Sequence, residues 1–276
     1  MNLKPIIILG TPRSGTTYLG NLLKNHSELF YAEEYRFTWL YGNEGLSDML
    51  RPIHVTNKNK AYIRKRFKDM VVASNKTRLL EKTPSNSLRP FFVKEIFPEA
   101  KFIYIQRDPL ECILSIQDLW KRKADGISTV SKSNIYRRFK DLNVNQFRYL
   151  IPEMIKRVSP KFHSGQINNL WGPRIPGMSK ILNNLGLLET CCMQWRFCTD
   201  ELNYFYKSMP KDSILHCNLE ELDARKIEQI LDFCDLGHEG ILDSFNKTFV
   251  KNPSGVRSKT LNDSEMKLIN RWINHQ

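Results

Sequence analysis

Between Gly10 and Thr17 the chain reads GTPRSGTT, directly after the apolar run Ile6–Leu9 and directly before an amphipathic segment that opens Tyr18-Leu19. A β-branched run, a Gly/Pro/Ser turn and a helix-period pattern in that order give strand, tight loop and helix, and such a loop is an anion site. Its backbone N–H groups and those of the helix's first turn lack intrahelical partners, and the helix dipole adds about half a positive charge there. Gly10 and Gly15 let the backbone turn and approach a ligand, while Ser14, Thr16 and Thr17 add hydroxyls and Arg13 a guanidinium. The nucleotide loop G-x-x-x-x-G-K-[ST] has the same glycine spacing but needs a lysine where Thr16 stands. Its magnesium chemistry also wants a strand ending in aspartate, whereas Lys101–Gln106 runs into Arg107. The loop therefore predicts phosphate binding, and an ATP-dependent kinase or NTPase is the disfavoured alternative.

Three further stretches could do chemistry. Leu29–Gly42 (LFYAEEYRFTWLYG) sets Glu33, Glu34 and Arg36 among aromatics. Apolar neighbours lift a carboxylate's pKa toward that of a useful base; the plain alternative is a solvated pair beside a salt-bridging arginine. Arg78-Leu79-Leu80 is a short strand that delivers EKTP, Glu81–Pro84, at its carboxyl end, where ligands sit in open α/β sheets. Lys82 is there a fixed cation, or else a local ion-pair partner of Glu81 with little energetic weight. Finally, Arg107-Asp108-Pro109 opens a helix with Asp108 as cap and Pro109 in its first turn, and Ser115 follows in the second. A guanidinium fork and a hydroxyl so spaced suit one phosphate, although Ser115 could instead bond back to its own helix.

TPRSGTT, EKTP and FIYIQRDPLECILS (Phe102–Ser115) together resemble the sulfotransferases that use 3′-phosphoadenosine 5′-phosphosulfate (PAPS). Ser213–Leu222 (SILHCNLEEL) is similar to the family's late YEDL segment, with His216-Cys217-Asn218 where that pattern falls. AEEYR matches the G-E-E-T-R of the tyrosine-modifying members, with Ala32 for Gly and Tyr35 for Thr, whereas EKTP resembles the glycan-modifying ones. The resemblance implies an α/β fold with a P-loop-like central parallel sheet flanked by helices, PAPS as co-substrate and no metal. It implies Glu34 as base with Glu33 as runner-up, Lys82 on the sulfuryl group or bridging oxygen with Glu81 orienting it, and Arg13, Ser14, Gly15, Thr16 and Thr17 around the donor. Arg107 and Ser115 fall on the donor's 3′-phosphate, and a late basic loop (FVKNPSGVRSK) brings Arg257 and Lys259 over its adenosine end. The function so implied is base-assisted, in-line transfer of a sulfuryl group to the hydroxyl of a glycan, lipid, small molecule or tyrosine. Arg13 and Lys82 neutralise the charge that grows on the leaving phosphate. A non-catalytic anion- or glycan-binding protein of the same fold is the other alternative.

The elements that must hold these residues fit one domain over 1–276, with 121–180 as a flap or acceptor-side insertion. A chain of 276 residues can bury a sizeable core, and 41% hydrophobic with 26% charged residues is ordinary globular composition. Strands are expected at 6–9, 78–80, 101–106 and 213–217, and helices at 16–25, 62–72, 90–97, after Arg107, and at 144–158, 186–209, 226–234 and 261–273. Phe162, His163 and Trp171 fall in a Gly/Pro-rich stretch suited to a lid or acceptor pocket. A net charge of +13 favours anionic partners, whether a polyphosphorylated cofactor, an acidic glycan, a membrane surface or nucleic acid; the partner expected here is an anionic hydroxyl-bearing acceptor and not nucleic acid. Six cysteines show no C-x-x-C pair and no metal spacing, which points to a reducing compartment. With neither a signal segment nor an apolar run long enough to span a bilayer, the expected location is cytoplasmic.

Overall fold

The computed structural model of the chain describes residues 3–124, 171–238, 240–249 and 261–274. Its centre is a five-stranded sheet, parallel throughout, in the order β2-β3-β1-β4-β5. The strands are β1 (Ile6–Leu9), β2 (Leu29–Glu33), β3 (Arg78–Lys82), β4 (Lys101–Gln106) and β5 (Ile214–Asn218). Four answer to the expected runs. The fifth, β2, is the start of the acidic–aromatic segment, and β3 reaches two residues beyond the expected Leu80.

Successive side chains on a strand face opposite ways, so each strand feeds two cores. On one face Ile7, Leu9, Leu79, Phe102 and Tyr104 meet Phe67 of α3 (Asn57–Ala73), Phe92 of α4 (Pro90–Ile96) and Phe205 of α6 (Met178–Ser208). On the other, Ile6, Ile8, Leu80, Ile103 and Ile105 meet Leu19 of α1 (Thr16–Leu23), Ile230 of α7 (Ala224–Phe233) and Phe245 of α8 (Ile241–Thr248). Covering on both faces is why β1 and the middle of β4 are continuous apolar runs rather than alternating ones. A third cluster joins α5 (Pro109–Ala124), α6 as far as Cys198 and α9 (Asp263–Asn274). The long helix α6 is broken at Gly186, whose φ of 77° and ψ of 178° are non-helical, so its longer limb matches the helix expected from 186.

The cysteines are small core residues: all six are buried and free. Burial pushes the Cys112, Cys192, Cys198, Cys217 and Cys234 thiols up to about 12, far from reactive thiolates. Three basic residues of α3 are spent locally, Arg64 on Glu99, Lys60 on Glu95 and Lys65 on Asp69. No described helix is long and apolar enough to cross a membrane.

Candidate active site

Strand order brings the singled-out residues to one edge. Within the sheet Ile7 lies opposite Glu81 of β3 and Leu9 opposite Tyr104 of β4. The loop after β1 therefore emerges between the carboxyl ends of β3, which carries Lys82, and β4, which runs into Arg107. Ligands of open α/β sheets sit at such a point.

The loop is shaped for close approach. A Cβ at Gly10 would stand 2.4 Å from Ser14 Oγ and 2.7 Å from the Ile105 carbonyl. Gly15 has φ 99° as the cap of α1, and a Cβ there would meet Leu219 at 2.8 Å. Leu219 follows β5, so the late acidic segment packs on the phosphate loop. Ser14 is fully buried and its Oγ has no hydrogen-bond partner among the described residues. Leaving such a hydroxyl unpaired costs about 1–3 kcal/mol. Thr16 is buried at the first turn of α1, while Thr17 and Arg13 are exposed. Arg13 has φ 72°, a left-handed conformation in which non-glycine residues are uncommon.

Arg13, Ser115 and Arg107 form one group. Arg13 Nε donates to Ser115 Oγ at 2.8 Å, so this hydroxyl serves the loop rather than its own helix. Arg107 NH1 donates to the Arg13 carbonyl at 3.4 Å, and NH2 to Glu111 Oε2 at 3.2 Å. Asp108 caps α5 by accepting from the Glu111 amide at 2.8 Å, and its own amide donates to Glu220 Oε1 at 3.0 Å. Neither Glu111 nor Glu220 is conspicuous in the sequence; a carboxylate four residues after an arginine on a helix is the only signal for the first.

Lys82, Glu33 and Glu34 form the second group. Glu33 is the register partner of Lys82 across β2 and β3. Both lie on the α1 side of the sheet, because Tyr31 and Leu80, two residues earlier, do. Lys82 Nζ is fully buried and donates to Glu33 Oε1 at 3.1 Å and Glu34 Oε1 at 3.5 Å. Glu34 lies just past the strand with φ 60°, its amide donating to the Lys82 carbonyl at 2.8 Å. A left-handed L-residue costs about 1–2 kcal/mol, and such strain persists where the surroundings over-determine it, often at functional positions.

Glu81 does not orient Lys82. Period two turns it to the opposite face, where it is fully buried. There it accepts from Trp39 Nε1 at 2.9 Å, Thr83 Oγ1 at 2.5 Å and Asn86 Nδ2 at 3.0 Å. Burial pushes its carboxyl from an ordinary 4.5 up to about 7, against the pull of these donors and Arg89. The stability consequence has a definite sign. Below about pH 4.5 the group is protonated both folded and unfolded. Between there and about pH 7 the unfolded carboxyl ionises first, so folding must take up a proton and stability falls as pH rises. Glu81→Gln removes this dependence: from pH 4.5 to pH 8 its unfolding free energy should gain about 3 kcal/mol relative to the native chain, at roughly 1.4 kcal/mol per unit. Denaturant titrations of both proteins across that range measure the difference, and a flat one would show that folding leaves the Glu81 carboxyl at its ordinary value.

Beyond β4 and β5 lies a cleft of about 520 Å³ lined in part by Arg107, Trp195, Asn203, Asn218 and Glu220. His216 stands behind it, Nε2 at 2.6 Å from Gln106 Oε1, with its pKa lowered by burial. Cys217 is a core residue, so of the three expected at the late motif only Asn218 reaches the cleft. Trp171 is half-buried against the α5–α6 cluster. Arg257, Lys259, Phe162, His163 and the 144–158 helix lie outside the described residues.

A P-loop-like α/β sheet with a glycine-cornered anion loop at its switch point defines the class. The chain belongs to the sulfotransferase family, whose model matches residues 5–159 and so takes in β1 to β4, the loop and α5. Similar solved structures include the sulfotransferase domain from the curacin biosynthetic pathway, 16% identical over 98% of this chain and 90% of that one, with a TM-score of 0.51. The sulfotransferase domain of the Synechococcus PCC 7002 olefin synthase is 18% identical over 100% and 89%, with a TM-score of 0.48. A mouse sulfotransferase complexed with PAP is 11% identical over 100% and 86%, with a TM-score of 0.49. At 16% identity the curacin-domain likeness speaks for fold alone. No curated protein matches the chain.

Proposed function

We propose that the chain transfers a sulfuryl group from PAPS to the hydroxyl of an acceptor, a glycan, lipid, small molecule or tyrosine. The observation that carries this is the pairing of two groups across adjacent strand ends: a buried Lys82 between Glu33 and Glu34, and Arg13 bonded to Ser115 beside Arg107. The orphaned Ser14 Oγ in the loop after β1 fits a donor oxygen.

The donor supplies a sulfuryl group already activated on its 5′-phosphate. Glu34, one-third exposed, accepts the proton of the acceptor hydroxyl, while the more enclosed Glu33 keeps hold of Lys82. The Lys82 ammonium, the Arg13 guanidinium and the amides of Ser14 to Thr17 stand where negative charge accumulates on the phosphate side. Arg107 and Ser115 bind the 3′-phosphate, a fork and a hydroxyl on one anion. Arg257 and Lys259 we assign to the adenosine end by family resemblance. Residues 1–276 then act as one domain, with 121–180 on the acceptor side, and the basic charge favours an anionic acceptor.

Calorimetric titration with adenosine 3′,5′-bisphosphate, AMP and ATP–magnesium tests the proposal. The bisphosphate should bind tightest, AMP weakly, and Arg107→Ala should lose about 10- to 100-fold in bisphosphate affinity, the worth of one or two charged hydrogen bonds. Preference for ATP–magnesium, or indifference to Arg107, would return the chain to nucleotide-triphosphate chemistry.

A further inference from the structure

We propose that Asp48 is a positioning residue for the transfer, holding the segment that carries Glu34 in fixed orientation against the strand that carries Lys82. This rests on the function proposed above and concerns a residue remote in sequence from every motif.

Asp48 is fully buried, yet it sits at the centre of a ring of directional bonds. It accepts from Arg36 through Nε at 3.0 and 3.2 Å and NH2 at 3.0 Å, from Arg89 NH1 at 3.1 Å, and from the Arg174 amide at 2.7 Å. Arg36 opens the short helix α2 (Arg36–Trp39), which only Tyr35 separates from Glu34. Arg89, also fully buried, donates through Nε to Asn86 Oδ1 at 2.8 Å and through NH2 to Ser85 Oγ at 2.9 Å. Asn86 donates to Glu81, the neighbour of Lys82, and Glu81 accepts from Trp39 at the far end of α2. The ring closes: Asp48, Arg36, Trp39, Glu81, Asn86, Arg89 and back to Asp48.

Stability alone does not account for it. Desolvating two arginines and two carboxylates offsets most of their attraction, and an apolar cluster of similar volume would hold α2 to the core as firmly. An apolar contact tolerates sliding and rotation, whereas a fork-shaped arginine pair at the start of a one-turn helix and an indole N–H bond at its end do not. What the ring fixes is the direction in which the chain enters α2, and so the separation of Glu34 from Lys82. Burial lowers Arg89 only to about 10, and the two arginines hold Asp48 below the usual carboxylate range, so this ion pair stays charged at neutral pH. None of these side chains hydrogen-bonds Lys82 or Glu34 directly; they act through the backbone.

The test compares the full chain with Asp48→Asn, Glu34→Gln and the double variant. Acylation of Lys82 by an N-hydroxysuccinimide ester, followed by peptide mass spectrometry, reads the frame without any catalysis. Lys82 should be protected in the native chain and labelled about tenfold faster in Asp48→Asn. In steady-state sulfuryl transfer, kcat of Asp48→Asn should fall about 10- to 30-fold, the scale of a sub-ångström misplacement. Donor KM and bisphosphate affinity should stay within about twofold, and the double variant should be no slower than Glu34→Gln alone, because both changes act on one step. Unchanged labelling, or losses that multiply in the double variant, would overturn the proposal. Full activity of Glu34→Gln would instead remove Glu34 as base while the labelling still decides whether the frame exists. Should Asp48→Asn fail to fold, Arg36→Lys, at a side chain 21% exposed, replaces the fork with a single ammonium and should give the same pattern at smaller amplitude.

Discussion

Glu34→Gln should lower kcat for sulfuryl transfer by about 10²- to 10⁴-fold, the span of a positioned general base. The substitution keeps the shape and the oxygen that faces Lys82, so adenosine 3′,5′-bisphosphate should bind within about twofold of the native affinity. Glu33→Gln is the matched control. Glu33 lies closer to Lys82, at 3.1 Å against 3.5 Å, and its side chain is 19% exposed against 33%, which suits a partner for the lysine rather than a group that must meet an acceptor. Its loss should cost about tenfold or less. Rates of bisphosphate release from PAPS, taken with a hydroxyl acceptor found by panel screening, rank the two. If Glu33→Gln proves the slower variant, the base is Glu33 and the left-handed turn at Glu34 serves only to end β2.

Lys82→Met should cost about 10²- to 10³-fold in kcat, comparable to removing one preorganised donor from a developing oxyanion. Methionine keeps much of the stem's volume, so the effect belongs to the ammonium. Lys82→Arg makes the discriminating comparison: it restores charge in a fully buried position built for a narrower head group, and should recover only part of the rate. Native turnover by Lys82→Met would reduce the lysine to a structural counter-ion for β2.

The two expectations differ in what they probe. The first concerns a side chain that must be free to exchange a proton, the second one whose value lies in being immobile.

Residue order is enough for the parts whose physics is local. A β-branched run, a loop with glycine at both corners and a helix-period segment specify strand, tight loop and helix, and Gly10 and Gly15 fill positions where a Cβ would collide. Arg107 and Ser115 were legible for the same reason, since a strand end and the helix after it fix their spacing, and EKTP because it closes a strand. The partnerships came from long-range packing. Glu81 and Lys82 are neighbours in the chain but face opposite sides of the sheet, and their partners come from β2 and α2, elements whose register no local pattern sets. The strand β2 was hidden because at this sheet edge only Leu29 and Ala32 are fully buried, which gives no clean alternation. Asp48 was hidden more thoroughly. A lone aspartate in an irregular segment carries no signal, and its role exists only because folding brings Arg36, Arg89 and the Arg174 amide around one carboxylate, where each charge is tolerable only in the presence of the others.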